Sequence, residues 1–313
     1  MPEPFPAACV YLTGPTASGK SAVGLELARL LGAEIVAMDS MTVYRGLDVG
    51  TAKASREERA AVPHHMLDIV EPSEEYSQAD YAVAARRAVD DILARGKTPL
   101  VVGGTPLYLK TLLRGMFEGP PADWELRRRW EAEADRGGPT FLQEQLAKVD
   151  PPTATKLHAN DRRRIIRALE VHELTGRPLS ALQREFERPR SEAAGRVFLL
   201  DWPREVLFRR IESRVDTMLA AGLIDETTHA LAPPGGMSRT ARQGLGYREV
   251  IEMLAGTLPR EELAGAIKTH TRQFAKRQGT WFRSLEECSP IPMTEPVDSV
   301  LVAQRIYTRL AGG

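Results

Sequence analysis

The chain has 313 residues, 42% of them hydrophobic and 27% charged, which is the composition of a globular protein rather than a disordered or fibrous one. Lysine plus arginine number 42, as do aspartate plus glutamate, so the formal net charge is zero. Because this balance excludes a strong overall positive field, any nucleic-acid partner must be bound by a local basic surface.

The first elements alternate between strand and helix. A short apolar run at 8–12 predicts a buried strand, and an amphipathic pattern at 20–31 predicts a helix that ends at Gly32. A second apolar run at 34–38 predicts another buried strand, which is followed directly by Asp39.

The same alternation continues after an irregular segment rich in Gly and Thr. A helix is predicted to begin at Ser77, with Asp80 completing a capping box, and to end before Gly96. A third strand is predicted at 98–102, running into Gly103-Gly104-Thr105. Strands that alternate with helices indicate an α/β fold in which helices cover both faces of a parallel sheet.

The pattern changes after Gly119-Pro120-Pro121. No strand is predicted from 123 to 187, where short amphipathic helices are separated by Gly and Pro clusters. Another unalternating apolar strand follows at 196–201, and the rest of the chain is predicted to be mainly helical. We therefore predict a catalytic core formed by 1–119 and 196–313, with an all-helical insertion at 120–195.

An eight-residue phosphate-binding pattern, G-x-x-x-x-G-K-S, lies between the first predicted strand and the first predicted helix. It consists of Gly14, Pro15, Thr16, Ala17, Ser18, Gly19, Lys20 and Ser21. In such a P-loop, backbone N–H groups and the helix N-terminus surround phosphate oxygens, the lysine adds a positive charge, and the serine hydroxyl can bind Mg²⁺. The alternative is a glycine-rich turn without a ligand. The predicted fold class is thus a P-loop NTPase-like parallel sheet with a helical insertion.

The P-loop predicts a bound pyrophosphate group without specifying ATP. A nucleotide hydrolase usually has a second buried strand that ends in an aspartate for Mg²⁺, and here Asp39 and Asp201 are both candidates. However, Asp39 is followed by a loop at 40–46 with no helical pattern. This loop could hold a carboxylate beside an acceptor at the carboxyl end of the sheet, where α/β proteins have their sites.

Several motifs along nearly the whole chain resemble the tRNA dimethylallyltransferase (tRNA isopentenyltransferase) family. Besides the P-loop, they are residues 39–53, 63–68, 103–108, 158–161, 167–171, 244–247 and 271–278. The family pattern often has Pro-Gln-Arg where this chain has Arg162-Arg163-Arg164, so Arg164 matches and Arg163 does not. The resemblance implies transfer of a dimethylallyl group from dimethylallyl diphosphate to N6 of the adenine beside the anticodon, position 37 of tRNA.

The resemblance and the chemistry together suggest catalytic roles for Lys20, Ser21, Arg214, Asp39 and Thr105. Cations and Mg²⁺ would stabilise the leaving pyrophosphate, and the resemblance implies that Arg214 contacts it. Asp39 is the predicted general base for the acceptor amine, which Thr105 could help to orient. The alternatives are a capping or second-sphere role for Asp39 and a solvated surface role for Arg214.

The resemblance also implies a set of contacts to the tRNA anticodon stem-loop. They are Asp39, Ser40, Met41, Thr42, Thr105, Arg127, Arg163, Arg164, Arg167, Arg242, Gln243, Gly244, Gly246, Tyr247, Thr271, Arg272, Gln273, Lys276, Arg277 and Gln278.

Two basic stretches support these contacts. Residues 156–190 have nine Lys or Arg against five Asp or Glu, and 268–283 have five against none. In the first, Arg163, Arg164 and Arg167 share a helical face near a helix start capped by Asn160 or Asp161. Cations there oppose the helix dipole, so an external phosphate would relieve them.

In the second basic stretch, Lys268, Arg272 and Lys276 follow helical spacing. Phe274 and Trp281 lie on another face, where they could stack a displaced base or belong to the core. By itself, each basic stretch would more often be a solvated charged face.

We expect a cytoplasmic protein without a structural metal site, and we take a monomer as the default. Cys9 and Cys288 have no metal-ligand spacing, and His64-His65 with Asp68 lack a further ligand at a suitable distance in sequence. The N-terminal residues lack a basic leader region, and no apolar stretch has membrane-spanning length.

Three other functions compete with tRNA prenylation. A small-molecule P-loop kinase would explain the P-loop and Arg214 but leaves the basic insertion without a role. A non-catalytic RNA-binding protein with a nucleotide switch would not explain Asp39 and Thr105. Prenyl transfer to a free adenine nucleotide does not require the insertion.

Overall fold

The structure is a computed structural model that describes residues 4–117, 119–186, 189, 193 and 195–312. It divides into two compact units, a smaller one at Arg114–Arg188 and a larger one at Pro4–Leu113 and Pro189–Gly313. Residues 187, 188, 190–192 and 194, near the end of the predicted insertion, lie outside the described residues. The assignment of 120–195 as a tRNA-contacting insertion stays a prediction.

The larger unit is built on one six-stranded sheet, which is parallel, as the sequence predicted. In chain order its strands are β1 (Val10–Thr13), β2 (Ala33–Ala37), β3 (His64–His65), β4 (Thr98–Gly103), β5 (Val197–Asp201) and β6 (Cys288–Pro292). Their order across the sheet is β3-β2-β4-β1-β5-β6. In the centre, Tyr11 of β1 lies opposite Val101 of β4 and Val197 of β5. The central strands are buried on both faces, which explains their continuous apolar sequences.

Helices cover this sheet and form the smaller unit. In chain order they are α1 (Lys20–Leu31), α2 (Arg56–Ala61), α3 (Gln78–Ala94), α4 (Pro106–Arg114), α5 (Trp124–Gly137), α6 (Phe141–Val149), α7 (Pro151–Lys156), α8 (Arg162–Thr175), α9 (Leu179–Gln183), α10 (Arg204–Ala220), α11 (Leu223–Leu231), α12 (Tyr247–Leu254), α13 (Leu263–Arg283) and α14 (Ser299–Ala311). Over the part of the chain that the structure describes, no helix is both long and apolar enough to cross a membrane.

Local sequence signals located several helix ends correctly. Gly32 adopts a left-handed conformation with φ of 58° after α1, and its N–H bonds the carbonyl groups of Ala28 and Arg29. Ser77 and Asp80 form the predicted capping box at the start of α3. Both signals act within a few residues, and this short range explains why they could be recognised without the fold.

The prediction missed two strands at the edges of the sheet. β3 has only two residues, and β6 contains Pro290 and Pro292, which cannot donate ladder hydrogen bonds. Proline is tolerated because β6 is an edge strand, with β5 as its neighbour. The expectation of mainly helical structure after 201 was therefore incomplete.

The smaller unit is a cluster of short helices, α5 to α9, with no strand among its described residues. Its core is formed by apolar side chains from several of these helices: Ala134, Leu142, Leu146, Ala154, Ile165, Ile166, Ala168 and Leu169. Helix breaks fall at the predicted Gly and Pro clusters, and Asp161 caps α8 by accepting from the Arg164 N–H.

A close backbone contact joins the carboxyl ends of β2 and β4. A Cβ atom on Gly103 would lie 1.9 Å from the carbonyl oxygen of Met38, so no side chain fits without moving one strand. This contact brings the loop after β4 next to the loop after β2, and the two loops carry Thr105 and Asp39.

Gly103→Ala is therefore expected to lower the free energy of unfolding by about 3 kcal/mol or more, since backbone atoms must shift to accommodate the methyl group. Denaturant unfolding measures this change. Gly265→Ala in α13 is the matched control, because a Cβ there has no heavy atom within 4 Å and should stabilise the helix slightly. Equal stabilities of the two variants would contradict the close contact.

Candidate active site

A cavity of about 430 Å³ lies in the larger unit, where the loops after β1, β2 and β4 meet α10 and α13. Parallel strands bring their carboxyl ends to one edge of a sheet, and this edge is the usual site of α/β proteins. Many of the residues predicted for the site line it: Thr16, Lys20, Ser21, Asp39, Ser40, Met41, Thr42, Thr105, Arg214, Gln243, Gly244, Gly246, Tyr247, Thr271, Arg277 and Gln278.

A second, more open cavity of about 650 Å³ borders the P-loop and shares Lys20, Ser21 and Arg214 with the first. Ala17, Ser18 and Gly19 line this second cavity, whereas Gly14 and Pro15 line neither.

Four residues of the larger unit that were predicted to contact tRNA do not line the first cavity: Arg242, Arg272, Gln273 and Lys276. Arg242 donates from Nε to the Met237 carbonyl oxygen at 3.0 Å, and Arg272 pairs with Glu212 at 2.6 Å. The remaining predicted contacts, Arg127, Arg163, Arg164 and Arg167, belong to the smaller unit.

Side chains from the β5–α10 segment hold the P-loop backbone. Trp202 Nε1 donates to the Ser18 carbonyl oxygen, and Arg210 Nε donates to that of Ala17, both at 2.9 Å. In a trans peptide the N–H points away from the carbonyl, so the Gly19 N–H points away from Trp202. Ala17 and Gly19 have positive φ values of 62° and 84°, the alternation of backbone conformations that creates an anion-binding concavity.

Two cations and one carboxylate face each other across the P-loop side of the cavity. Burial lowers the pKa of Lys20 to about 8, and the nearby Arg214 lowers it too, while Asp39 opposes both effects. Burial also lowers the pKa of Arg214, whose Nη2 donates to the Thr51 carbonyl oxygen at 3.2 Å. Desolvated cations with too little negative charge around them favour binding of an anion.

Asp39 lines the cavity immediately after β2. Its Oδ1 accepts the Met41 N–H at 2.8 Å, an Asx turn that shapes the following loop. No helix begins at Asp39, so the side chain caps a turn of the loop rather than a helix N-terminus. Since a carboxylate accepts several hydrogen bonds, this contact leaves capacity for an acceptor amine. Thr105 lines the same cavity from the loop after β4.

One wall of the cavity is held by Glu226, which the sequence analysis did not identify. Its carboxylate accepts N–H bonds from Asp48, Val49 and Gly50 at 2.7–3.0 Å and the Tyr247 hydroxyl at 2.7 Å. A Cβ on Gly50 would lie 2.5 Å from the Tyr247 ring. Tyr247 thus packs as a buried wall residue with its hydroxyl already bound.

Three of the arginines predicted to contact tRNA from the smaller unit have anionic partners within that unit. Glu170 is fully buried. Its carboxylate accepts two hydrogen bonds from Arg127, both at 2.8 Å, and forms an ion pair with Arg167. Arg164 pairs with Asp161 at 2.9 Å. Arg164 and Arg167 therefore have carboxylate partners inside the protein, and the external phosphate expected for these charges stays a prediction.

The basic face of α13 is also partly paired. Lys268 contacts Asp216 at 2.7 Å, and Arg272 contacts Glu212. Phe274 is half-buried and lines the cavity, but Trp281 is 40% exposed, so a core role for Trp281 was the wrong alternative.

The histidine pair contacts other groups of the larger unit. His64 Nδ1 lies 2.7 Å from the Val62 carbonyl oxygen, and His65 Nε2 lies 2.7 Å from Glu34 Oε2. Asp68 pairs with Lys53 and Arg59.

Comparisons with known proteins agree with this architecture. Residues 42–285 match the family model described as IPP transferase. The chain is 45% identical over 298 residues to a tRNA dimethylallyltransferase of Pelotomaculum thermopropionicum, covering 95% of this chain and 94% of that protein. It is 47% identical over 302 residues to one of Geobacter metallireducens, covering 96% and 97%.

Solved structures give the same result. A tRNA isopentenylpyrophosphate transferase of Bacillus halodurans is 38% identical, with a TM-score of 0.71 and coverage of 97% of this chain and 95% of that one. A eukaryotic dimethylallyltransferase acting on tRNA is 29% identical, with a TM-score of 0.74 and coverage of 92% and 74%. The chain belongs to the IPP transferase family.

Proposed function

We propose that this protein transfers the dimethylallyl group of dimethylallyl diphosphate to N6 of adenine 37 in tRNA and releases pyrophosphate. The observation that carries the proposal is that Lys20 and Ser21 of the P-loop line one cavity together with Arg214 and Asp39, in a member of this family. The names of its relatives support the same substrates.

The cations account for the first half of the reaction. When the bond between the allylic carbon and its oxygen breaks, negative charge accumulates on the departing pyrophosphate. We assign the stabilisation of that charge to Lys20 and Arg214, which line the cavity, and to N–H groups of the P-loop, whose backbone is held by Trp202 and Arg210. The allylic carbon is then ready to accept an electron pair.

The carboxylate accounts for the second half. The N6 amine of adenine forms the new carbon–nitrogen bond with its electron pair and must lose a proton. We assign Asp39 as the base that takes this proton, with Thr105 orienting the amine or the carboxylate. Bond formation, bond cleavage and proton transfer then balance within one cavity.

The donor set fits Mg²⁺ as the cofactor. Mg²⁺ typically binds one or two protein oxygens and completes its coordination with substrate phosphate oxygens and water. Ser21 is exposed at the start of α1 and lines the cavity, so its hydroxyl would hold the ion. When bound, the ion would neutralise charge on the diphosphate.

The decisive experiment supplies labelled dimethylallyl diphosphate, Mg²⁺ and tRNA with adenine at position 37, alongside the same tRNA with guanine there. Label should enter only the adenine-containing tRNA. A parallel reaction with labelled ATP tests the kinase alternative, and one with free AMP tests a nucleotide acceptor. Phosphate transfer, or prenylation of AMP alone, would overturn the proposal.

We further propose that the smaller unit contacts tRNA phosphates through Arg163 and Arg164. Arg163→Ala combined with Arg164→Ala should weaken tRNA binding and reduce the slope of log K against log salt by about one for each phosphate that is no longer neutralised. Arg167 is left intact because buried Glu170 needs its partner.

Binding of tRNA measured at several salt concentrations tests this prediction. Arg305→Ala with Arg309→Ala removes the same charge from exposed positions of α14 and should leave the slope unchanged. Donor affinity should be unaffected in both double variants. An unaltered slope in the first variant would argue against these phosphate contacts.

A further inference from the structure

Gln278 joins the P-loop to the loop after β4. It lies on α13, is only 4% exposed, and uses both ends of its side-chain amide. Its Oε1 accepts the Thr16 N–H at 2.9 Å, and its Nε2 donates to the Gly104 carbonyl oxygen. One buried amide therefore connects the backbones of two loops that line the cavity.

The loop after β4 lies close to the P-loop at Gly104. Gly104 has no side chain with which to anchor its own loop. A Cβ on Gly104 would lie 3.0 Å from Gln278 Nε2, 3.2 Å from the Gly14 carbonyl oxygen and 3.2 Å from Lys20 Nζ. The β4 loop thus lies against the P-loop and its lysine, and Gln278 bonds both loops where they meet.

The connection matters for catalysis because the two loops would bind different parts of the reacting pair. The P-loop would hold the diphosphate, and the residue after Gly104 is Thr105, which lines the cavity with Asp39. A shift of one loop relative to the other changes the distance between the reacting carbon and the acceptor. Misplacement by about 1 Å can lower a rate roughly a hundredfold.

We propose that Gln278 is a positioning residue that fixes the diphosphate-binding loop relative to the Thr105 loop, and that it acts on the donor without binding tRNA itself. This inference rests on the proposed function and revises the tRNA contact that the family resemblance implied for Gln278. Its buried amide is already bonded to backbone at both ends. The preceding residue, Arg277, is exposed and lines the cavity, so it remains available to RNA.

Gln278→Met tests the proposal, because methionine has a similar length and removes both polar ends. Dimethylallyl diphosphate affinity measured without tRNA is expected to fall about tenfold, and kcat by about tenfold or more, because two buried hydrogen bonds are removed. The dissociation constant for tRNA should stay within about twofold of the wild-type value. Arg277→Met is the matched variant and should show the reverse, with weaker tRNA binding and unchanged donor affinity.

If Gln278→Met does not fold, Gln278→Glu replaces it, since it has the same size and keeps the acceptor for Thr16. It loses the donor to Gly104 and should weaken donor binding while sparing tRNA affinity. Weaker tRNA binding with normal donor affinity, or no change in either, would overturn the proposal. Wild-type prenylation of tRNA is measured separately, so a failure of the proposed function is distinguishable from a failure of this inference.

Discussion

Replacing Asp39 with asparagine is expected to lower kcat about a hundredfold or more, because the acceptor amine loses its proposed general base. The affinities for dimethylallyl diphosphate and tRNA should change little. Asparagine keeps a side-chain oxygen that can accept the Met41 N–H, so the loop after β2 retains its Asx turn. Single-turnover prenylation, with both affinities measured in parallel, separates chemistry from binding.

The matched control for this experiment is Asp201→Asn. Asp201 was the other candidate for a metal-binding aspartate, and it also ends a parallel strand, but it pairs with Arg283 at 3.4 Å and does not line the cavity. Its replacement should leave kcat close to that of the wild type. Comparable turnover in the Asp39→Asn enzyme and the wild type would remove Asp39 from the chemistry and leave it as a turn-capping residue.

The features that could be predicted from sequence are those encoded within a few neighbouring residues. The P-loop, the helix that follows it and the capping box at Ser77 all depend on contacts between positions close in sequence. Continuous apolar runs located the central strands, because both faces of a parallel sheet are covered. Since such strands end at one edge, the order of elements also predicted that Asp39 and Thr105 would meet the P-loop.

The features that could not be predicted are polar contacts across long stretches of chain. Gln278 bonds Thr16 from 262 residues away, and Glu226 bonds Val49 from 177 residues away. A glutamine or glutamate on a helix has no local pattern that identifies a distant backbone partner. Family resemblance implied an RNA contact for Gln278 and gave no sign of its bond to the P-loop.

The arginines of the smaller unit illustrate the same limit in electrostatics. Spacing placed Arg163, Arg164 and Arg167 near one another at the start of α8, and the helix dipole suggested an external anion. The structure also pairs Arg164 with Asp161 and Arg167 with buried Glu170. A charge pattern counts ionic groups but does not reveal which of them the fold has already neutralised.

Lys20→Met is expected to damage both donor binding and catalysis, because we propose that the ammonium contacts the diphosphate in the ground state and in the transition state. Removal of one partner from a buried charge pair typically costs about 2–5 kcal/mol, which is roughly thirty- to several-thousandfold in affinity. Methionine also removes a desolvated charge, so thermal stability at neutral pH should be no lower than that of the wild type. A lower melting temperature would mean that the loss of activity reflects misfolding.

The pH dependence of donor binding gives the sharper test of Lys20. Its pKa in the free protein is lowered to about 8, mainly by burial, so the ammonium loses its proton within an accessible range. A bound diphosphate stabilises the ammonium and raises that pKa again, and binding above pH 8 therefore takes up a proton.

Wild-type affinity for dimethylallyl diphosphate should fall by up to about tenfold for each pH unit above pH 8. Phosphate groups with a second pKa near 6 are already fully ionised there, so they do not produce the decline. In Lys20→Met the affinity should be weak and flat across the same range. A wild-type profile equally flat between about pH 7 and pH 10 would show that the Lys20 ammonium does not determine donor binding.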